Sequence, residues 1–241
     1  MTHVTQAVIL AAGEGRRLAP ITDTLPKPLV PFFGRPLIDW ALQKLAEAGV
    51  TRVAINAFHL ADVLTAHLAS LGTSLPFKEL HLSREPNLLG TGGAIAHLAT
   101  WLAPAPFFVI NADAVFAAPL NTLTHAPSLL VTREPAFAAE RRLIASRSTL
   151  IALDERSHPD GFTFCGVTLA DCDLPARLPQ GEKSCLIRQG FLPYLPSRDS
   201  LSVRLVETTD FFADTGTPES LVDAHHSGLA WVRTLRPPLT R

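Results

Sequence analysis

Apolar residues recur along the first half of the chain in two alternating patterns. Short apolar runs of strand length occupy residues 7–10, 52–57 and 107–111, with a weaker one at 79–83. Between them lie stretches of helical period. Residues 37–48 carry Leu37, Ile38, Ala41, Leu42 and Leu45 on one face and stop at Gly49; residues 61–71 close at Gly72, and a third helix is expected over 93–102. Strands alternating with helices imply βαβ units and a mostly parallel sheet with right-handed crossovers. After about residue 130 the pattern changes. Residues 129–132, 142–145, 149–153 and 162–169 read as strands joined by short turns, with 146–148 as one hairpin turn and 202–207 as a further strand. Thr217-Pro218-Glu219 opens a last helix, with a hydroxyl at the N-cap, proline in the first turn and an acid beside the positive helix end. The expected fold class is α/β: a Rossmann-like, mixed but mostly parallel central sheet flanked by helices, followed by an antiparallel portion, within one domain of residues 1–241.

Composition narrows what such a fold can do. The chain has 241 residues, 47% apolar and 18% charged, which suits a sizeable core and excludes a disordered chain. Its 21 basic against 22 acidic side chains leave a formal net charge of -1, which argues against nucleic acid or anionic membrane as a partner. A local cluster of positive charge for an anionic small ligand remains compatible with that balance. The basic residues are 17 Arg and only 4 Lys, and the lysines Lys44, Lys78 and Lys183 read as solvated surface residues. Cys165, Cys172 and Cys185 match no common zinc spacing and read as reduced, structural residues. The N-terminal MTHVTQAVILAAG has no basic region ahead of its apolar run, and nothing approaches the ~20 apolar residues of a membrane helix, so a cytoplasmic protein is expected. Residues 236–241 read as a frayed tail.

The most informative segment is VILAAGEGRRLAPITDTLPKPLVPFFGRPL, residues 8–37. A buried strand ends, Gly13 and Gly15 follow one residue apart, and then come Arg16, Arg17 and a proline-flanked Lys27. Small residues let backbone N–H groups approach a polyphosphate, and cations neutralise it. Ligands of open α/β sheets bind beyond the carboxyl ends of the strands, where this loop lies. A Walker A loop is excluded because no Gly-Lys-Ser/Thr closes it. The dinucleotide fingerprint is excluded because Leu18 stands at its third glycine, which disfavours a dehydrogenase. An ordinary strand-to-helix turn with exposed arginines stays open on the residues alone.

The stretch LAAGEGRRL-A-P-x(5)-PKPL-x-P-x-x-G-R-P-L-I resembles the signature of the sugar-1-phosphate nucleotidyltransferases, the NDP-sugar pyrophosphorylases. Further motifs recur in the family's order: LLGTGGAI at 88–95, VINAD at 109–113, DERSHPDGFTFCGV at 154–167 and FFADTGTPESL at 211–221. The chain is most similar to short bacterial single-domain members. The resemblance implies a GT-A-like fold, with about residues 1–125 as a nucleotide-binding half and about 126–235 as a sugar-phosphate-binding half. It implies Mg²⁺-dependent in-line attack of a sugar 1-phosphate on an NTP, releasing pyrophosphate. The substrates would be an NTP and a sugar 1-phosphate. Uridylyl transfer to a hexosamine-type sugar is preferred, with guanylyl transfer to mannose or heptose 1-phosphate, and cytidylyl transfer, left open. A non-catalytic regulatory protein binding nucleotide or sugar phosphate on the same fold is the alternative from another class.

The resemblance also distributes roles. Arg16 and Lys27 would be catalytic, stabilising transition-state charge. Ala11, Ala12, Gly13, Glu14, Gly15, Arg16, Lys27 and Gly92 would bind the nucleotide. Glu85, Thr91, Asn111, Glu155, Arg156 and Gly166 would bind the sugar phosphate, and Asp113 with Asp214 would hold the metal. Arg17 and Arg35 are expected to be structural or peripheral. Two departures from the family pattern stand out: Ala112 where many relatives have glycine, and Glu155-Arg156-Ser157 where many have Glu-Lys-Pro. His225-His226 and Asp171-Cys172-Asp173 are set aside as non-ligating, and Trp40 and Trp101 as core or interface anchors.

Overall fold

In the computed structural model, which describes residues 3–195 and 202–235, the buried apolar runs become the inner strands of one nine-stranded sheet. The first half comprises β1 (Gln6–Leu10), β2 (Pro31–Phe32), β3 (Arg35–Pro36), α1 (Leu37–Glu47), β4 (Arg52–Ala57), α2 (Ala61–Leu71), β5 (Glu79–Arg84), α3 (Gly90–His97), β6 (Phe107–Asn111) and β7 (Ala114–Phe116). The second comprises β8 (Ser128–Thr132), β9 (Leu143–Ser146), β10 (Thr149–Leu153), β11 (Thr163–Ala170), α4 (Leu174–Arg177), α5 (Leu186–Gly190), β12 (Arg204–Glu207), β13 (Phe212–Asp214) and α6 (Pro218–Val232). The order across the large sheet is β5-β4-β1-β6-β11-β8-β12-β10-β9. Its first four strands are mutually parallel, and β11 turns antiparallel against β6 and β8, as the change of pattern in the chain anticipates.

Apolar residues cover both faces of the sheet. One cluster joins Ile9, Ile55 and Ile110 to Leu42, Leu45 and Leu64 of the helices; the other joins Val8, Phe107 and Val109 to Ile95, Leu186 and Phe191. A strand buried on both faces reads as a continuous apolar run, which is why 107–111 is so plain in the sequence. A third cluster packs Phe32, Trp40, Val115 and Ala213 around α6, with Trp231 lying against Trp40 at 5.3 Å between rings. Trp101 is the other anchor, its indole 4.5 Å from the Arg52 guanidinium and donating to Glu79 Oε1 at 2.6 Å. His225 accepts from the Phe33 amide at 3.2 Å, and Asp171 holds Arg177 through two bonds of 2.8 and 2.6 Å, so both set-aside motifs serve the fold.

Several expectations are corrected. The third helix starts at Gly90 rather than 93 and ends at His97, because the amide of Gly92 is tied to Ser184 O at 2.9 Å and glycines there let α3 lie against the 182–185 segment. Lys44 is not a solvated residue: its ammonium donates to Ala117 O at 2.7 Å and its side chain is 16% exposed. The short β7–β13 and β2–β3 pairs and the short helices α4 and α5 fall below the length at which period is detectable. The strand expected over 202–207 begins at Arg204, and the expected tail 236–241 lies outside the described residues. The three cysteines are free, with Cys165 buried and its thiol pushed far up by that burial.

One irregularity matters for the site. The ladder of β11 with β8 shifts register between Phe164 and Thr168, and Gly166 inside it has φ +72°. A Cβ at Gly166 would come within 2.9 Å of Ala114 Cβ and 3.2 Å of Asn111 Cβ. Left-handed φ and close approach therefore both require glycine. Gly166→Ala is expected to lower stability by about 1–3 kcal/mol, read as a lower urea midpoint at unchanged slope.

Candidate active site

At the carboxyl ends of β1 and β6 the strand order reverses, since the chain runs from β1 outward to β4 and β5 and then returns to the other side of β1. A cleft opens at such a switch point. It is a cavity of about 260 Å³ bounded by Leu10–Gly13, by Lys27 and Pro28, by Asn56, by Leu88, Gly90 and Thr91, and by Asn111–Asp113. A Cβ on Gly13 would meet nothing within 4 Å, so the loop backbone lies open to a ligand there. Gly15 instead makes the turn, at φ +66°, with Thr22 Oγ1 donating to its carbonyl at 2.9 Å. Lys27 is held in a one-turn helix between Pro26 and Pro28. Its side chain is only 12% exposed, and its ammonium pairs with the Asp113 carboxylate.

A buried relay braces this cleft. The Ala11 amide donates to Asn56 Oδ1 at 2.6 Å, Asn56 Nδ2 donates to Glu85 Oε1 at 2.7 Å, and the Leu89 amide donates to Glu85 Oε2 at 2.9 Å. The glycine-rich loop, the end of β4 and the start of α3 are thereby fixed to one another.

A second cavity of about 180 Å³ adjoins the first and shares Asn111 and Asp113 with it. Gly166, Phe164, Phe212, Asp214, Arg17 and Glu140 complete most of its lining. Asp214 arrives through the antiparallel β7–β13 ladder, which sets it opposite Ala114, the neighbour of Asp113. Thr215 Oγ1 locks the two segments by donating to Asp113 O at 2.9 Å, and the Gly216 amide donates to Asp214 Oδ1 at 2.7 Å. A Cβ on Gly216 would lie 2.8 Å from both an Arg17 nitrogen and Asp214 Oδ1, so glycine there leaves room for the guanidinium and the carboxylate in one cavity wall. Burial, and then the Asp214 carboxylate, raise the Glu140 carboxyl above its usual range, opposed by Arg17 and Arg142.

The expected site residues divide accordingly. Ala11, Ala12, Gly13, Lys27, Asn111, Asp113, Gly166 and Asp214 all line one or both cavities. Arg16 does not: its side chain is 81% exposed and pairs with Glu14 at 2.9 Å, while its neighbour Arg17, expected to be peripheral, lines the second cavity. Consecutive residues of a one-turn helix point in different directions, so an Arg-Arg pair leaves this choice to the tertiary structure. Glu14 and Gly15 shape the loop without lining a cavity. Glu85 is a buried brace that lines neither cavity. Thr91 lines the first cavity, not the second, and accepts from the Leu186 amide at 2.9 Å. Gly92 packs against Ser184 and lines neither cavity. Glu155 pairs with Arg188 at 2.7 Å, which holds its carboxyl below the usual range, and neither it nor Arg156 lines either cavity. Ala112 sits at the site without a positive φ, so the family's frequent glycine is not required there. Asn56 and Glu140 carry no motif and were legible only once the strands were assembled.

The donor chemistry of the second cavity fits a hard divalent cation. Asp113 and Asp214 bring carboxylate oxygens to one space, while among the described residues no group of three or more His, Cys, Asp and Glu is placed to hold a metal. Two carboxylates completed by phosphate and water oxygens suit an ion that dehydrates reluctantly.

Comparison with known proteins agrees with this architecture. The family model described as nucleotidyl transferase matches residues 6–128. Mannose-1-phosphate guanylyltransferase of Mycobacterium tuberculosis is 29% identical over 231 residues, covering 92% of this chain and 64% of that protein. N-acetylmuramate alpha-1-phosphate uridylyltransferase of Neisseria meningitidis is 36% identical over 126 residues, covering 51% of this chain and 54% of that protein. The chain thus spans less than two thirds of the length of these curated relatives. Its fold is shared with the crystal structure of HddC from Yersinia pseudotuberculosis complexed with GMP-PN, at a TM-score of 0.76 and 22% identity, covering 93% of this chain and 99% of that one. No described helix is long and apolar enough to cross a membrane. With a family model matched over half its length, on the strands and loops that build the first cavity, the chain belongs to the nucleotidyl transferase family.

Proposed function

We propose that this chain transfers a nucleotidyl group from an NTP to a sugar 1-phosphate, giving an NDP-sugar and pyrophosphate. The observation that carries the reading is the pair of adjoining cavities with Asn111 and Asp113 in their common wall. The first, with its glycine-rich loop and apolar sides, suits a nucleotide. The second, more polar, suits a sugar phosphate, so the two reacting phosphates meet at Asp113. Residues 1–125 then serve mainly the nucleotide and 126–235 the sugar phosphate, with Arg17 crossing over.

The attacking phosphate oxygen is already anionic near neutral pH, so no general base is needed. The obstacle is the approach of two polyanions, and positioning with charge neutralisation is the remedy. Asp113 holds the Lys27 ammonium at the common wall, where it faces the NTP phosphates. Arg17, which lines the second cavity with Asp214, presents a guanidinium from the sugar side. A Mg²⁺ held by Asp113 and Asp214 would supply further neutralisation of phosphate oxygens. The backbone of residues 11–13 would receive the nucleotide.

Uridylyl transfer to a hexosamine-type sugar 1-phosphate is the pairing proposed first. Guanylyl transfer to mannose or heptose 1-phosphate is the alternative, supported by the name of the Mycobacterium relative. Pyrophosphate release from a panel of NTPs and sugar 1-phosphates with Mg²⁺ tests the reading, and no release from any pair would sink it.

Five substitutions test the assignments. Arg17→Ala is expected to lower kcat/KM at least a hundredfold, whereas Arg16→Ala stays within about threefold, since Arg16 pairs with Glu14 outside both cavities and such an exposed pair is worth little; equal losses would return the role to Arg16. Lys27→Ala is expected to lose about a thousandfold, because a unit charge pair at ~4 Å is worth about 4 kcal/mol at an effective dielectric near 20. Asp113→Asn and Asp214→Asn should each abolish turnover while the far-UV spectrum is kept, and a near-wild-type rate in either removes it from the metal site.

A further inference from the structure

The second cavity holds a carboxylate that the reaction as proposed does not use. Three acids line it, Asp113, Asp214 and Glu140, against one lining cation, Arg17. Asp113 is paired with Lys27. Glu140 makes no hydrogen bond or ion pair with another described residue, and Arg17 across the cavity acts on it only as a nearby charge. Glu140 ends the short helical segment Pro135–Glu140 that precedes β9, and it lines the second cavity from a segment apart from those that carry Asp113 and Asp214. Arg142, two residues on, is exposed and acts on Glu140 only as a nearby charge.

We infer that Glu140 sets the sugar specificity of this enzyme: it accepts hydrogen bonds from the hydroxyls of a neutral sugar 1-phosphate and excludes sugars that carry a carboxylate of their own. The inference rests on the proposed nucleotidyl transfer and narrows its acceptor. A carboxylate is an acceptor-only group with room for several donors, and vicinal hydroxyls offer matching ones. Hydrogen bonds to a charged acceptor are the stronger kind. The same group repels an acidic substituent, and like charges at one wall of a partly buried cavity oppose each other more than in water. Specificity here would come from an attractive and a repulsive element in one side chain. Mannose 1-phosphate and N-acetylglucosamine 1-phosphate fit this rule; N-acetylmuramate 1-phosphate and glucuronate 1-phosphate do not. The acidic acceptor in the name of the Neisseria relative is therefore not expected to be this chain's substrate.

The test compares neutral and acidic sugar 1-phosphates with the wild-type chain and with Glu140→Gln. Wild type is expected to favour the better neutral sugar over the better acidic one at least tenfold in kcat/KM. In Glu140→Gln that ratio should fall at least tenfold, through a higher KM for the neutral sugar and a lower one for the acidic sugar, with the KM for NTP unchanged. A merely structural role would move both sugars together. Wild-type preference for an acidic sugar, or an unchanged ratio in the variant, overturns the proposal. Should Glu140→Gln not fold, the wild-type ratio decides alone. Should wild type release pyrophosphate with no sugar, nucleotidyl transfer has failed. Calorimetric binding of mannose 1-phosphate against glucuronate 1-phosphate then judges Glu140 by itself, and equal affinities overturn it.

Discussion

The three-residue ladder between β7 and β13 is the constraint on which the site depends. It carries Asp214, far along the chain, to the position beside Asp113, and Thr215 Oγ1 closes the join on the Asp113 carbonyl. Thr215 is fully buried, so this bond is shielded from water and its loss would leave a polar atom unsatisfied. Behind the ladder, Val115 and Ala213 pack into the cluster of Phe32, Trp40 and α6. The last helix is thus not an appendage. Its capping box at Thr217 and Ser220 begins three residues after Asp214, and its packing holds that carboxylate in place.

Charge organises the same region on a smaller scale than the whole chain. A net charge of -1 gives no long-range attraction to polyanions, yet cations and carboxylates gather around the two cavities: Lys27 paired with Asp113, and Arg17, Asp214 and Glu140 in the lining of the second. The Lys27–Asp113 pair stands partly out of water, where its field is less screened than at the surface. The exposed pairs Arg16–Glu14 and Glu155–Arg188 use the same residue types with far less consequence.

The parts of the site that form one contiguous motif were legible in advance: the glycine-rich loop, Lys27, and Asp113 after the clearest buried strand. Asp214 was legible through its own motif. Roles that depend on which way a side chain turns were not. Arg16 and Arg17 are adjacent and chemically identical, and only the one-turn helix after Gly15 decides that Arg17 faces the cavity. Glu85 belongs to a promising segment, but the Asn56 and Leu89 donors consume it as a brace. Glu155 and Arg156 lie in a recognisable segment whose loop, in this structure, stands away from both cavities.

The sequence by itself determined the alternation of strands and helices, the switch from parallel to antiparallel pairing, and the phosphate-type loop at the end of β1. Those features are local: periodicity, glycine spacing and caps act over a few residues. Only the tertiary structure decided that Asn56, Arg17, Glu140 and Gly166 share walls with Asp113, and that Gly92 and Glu85 do not. These are contacts between segments distant along the chain, set by sheet order, by the register shift at Gly166 and by the β7–β13 join. No local pattern encodes them, because the side chains that meet are chosen by which strands become neighbours.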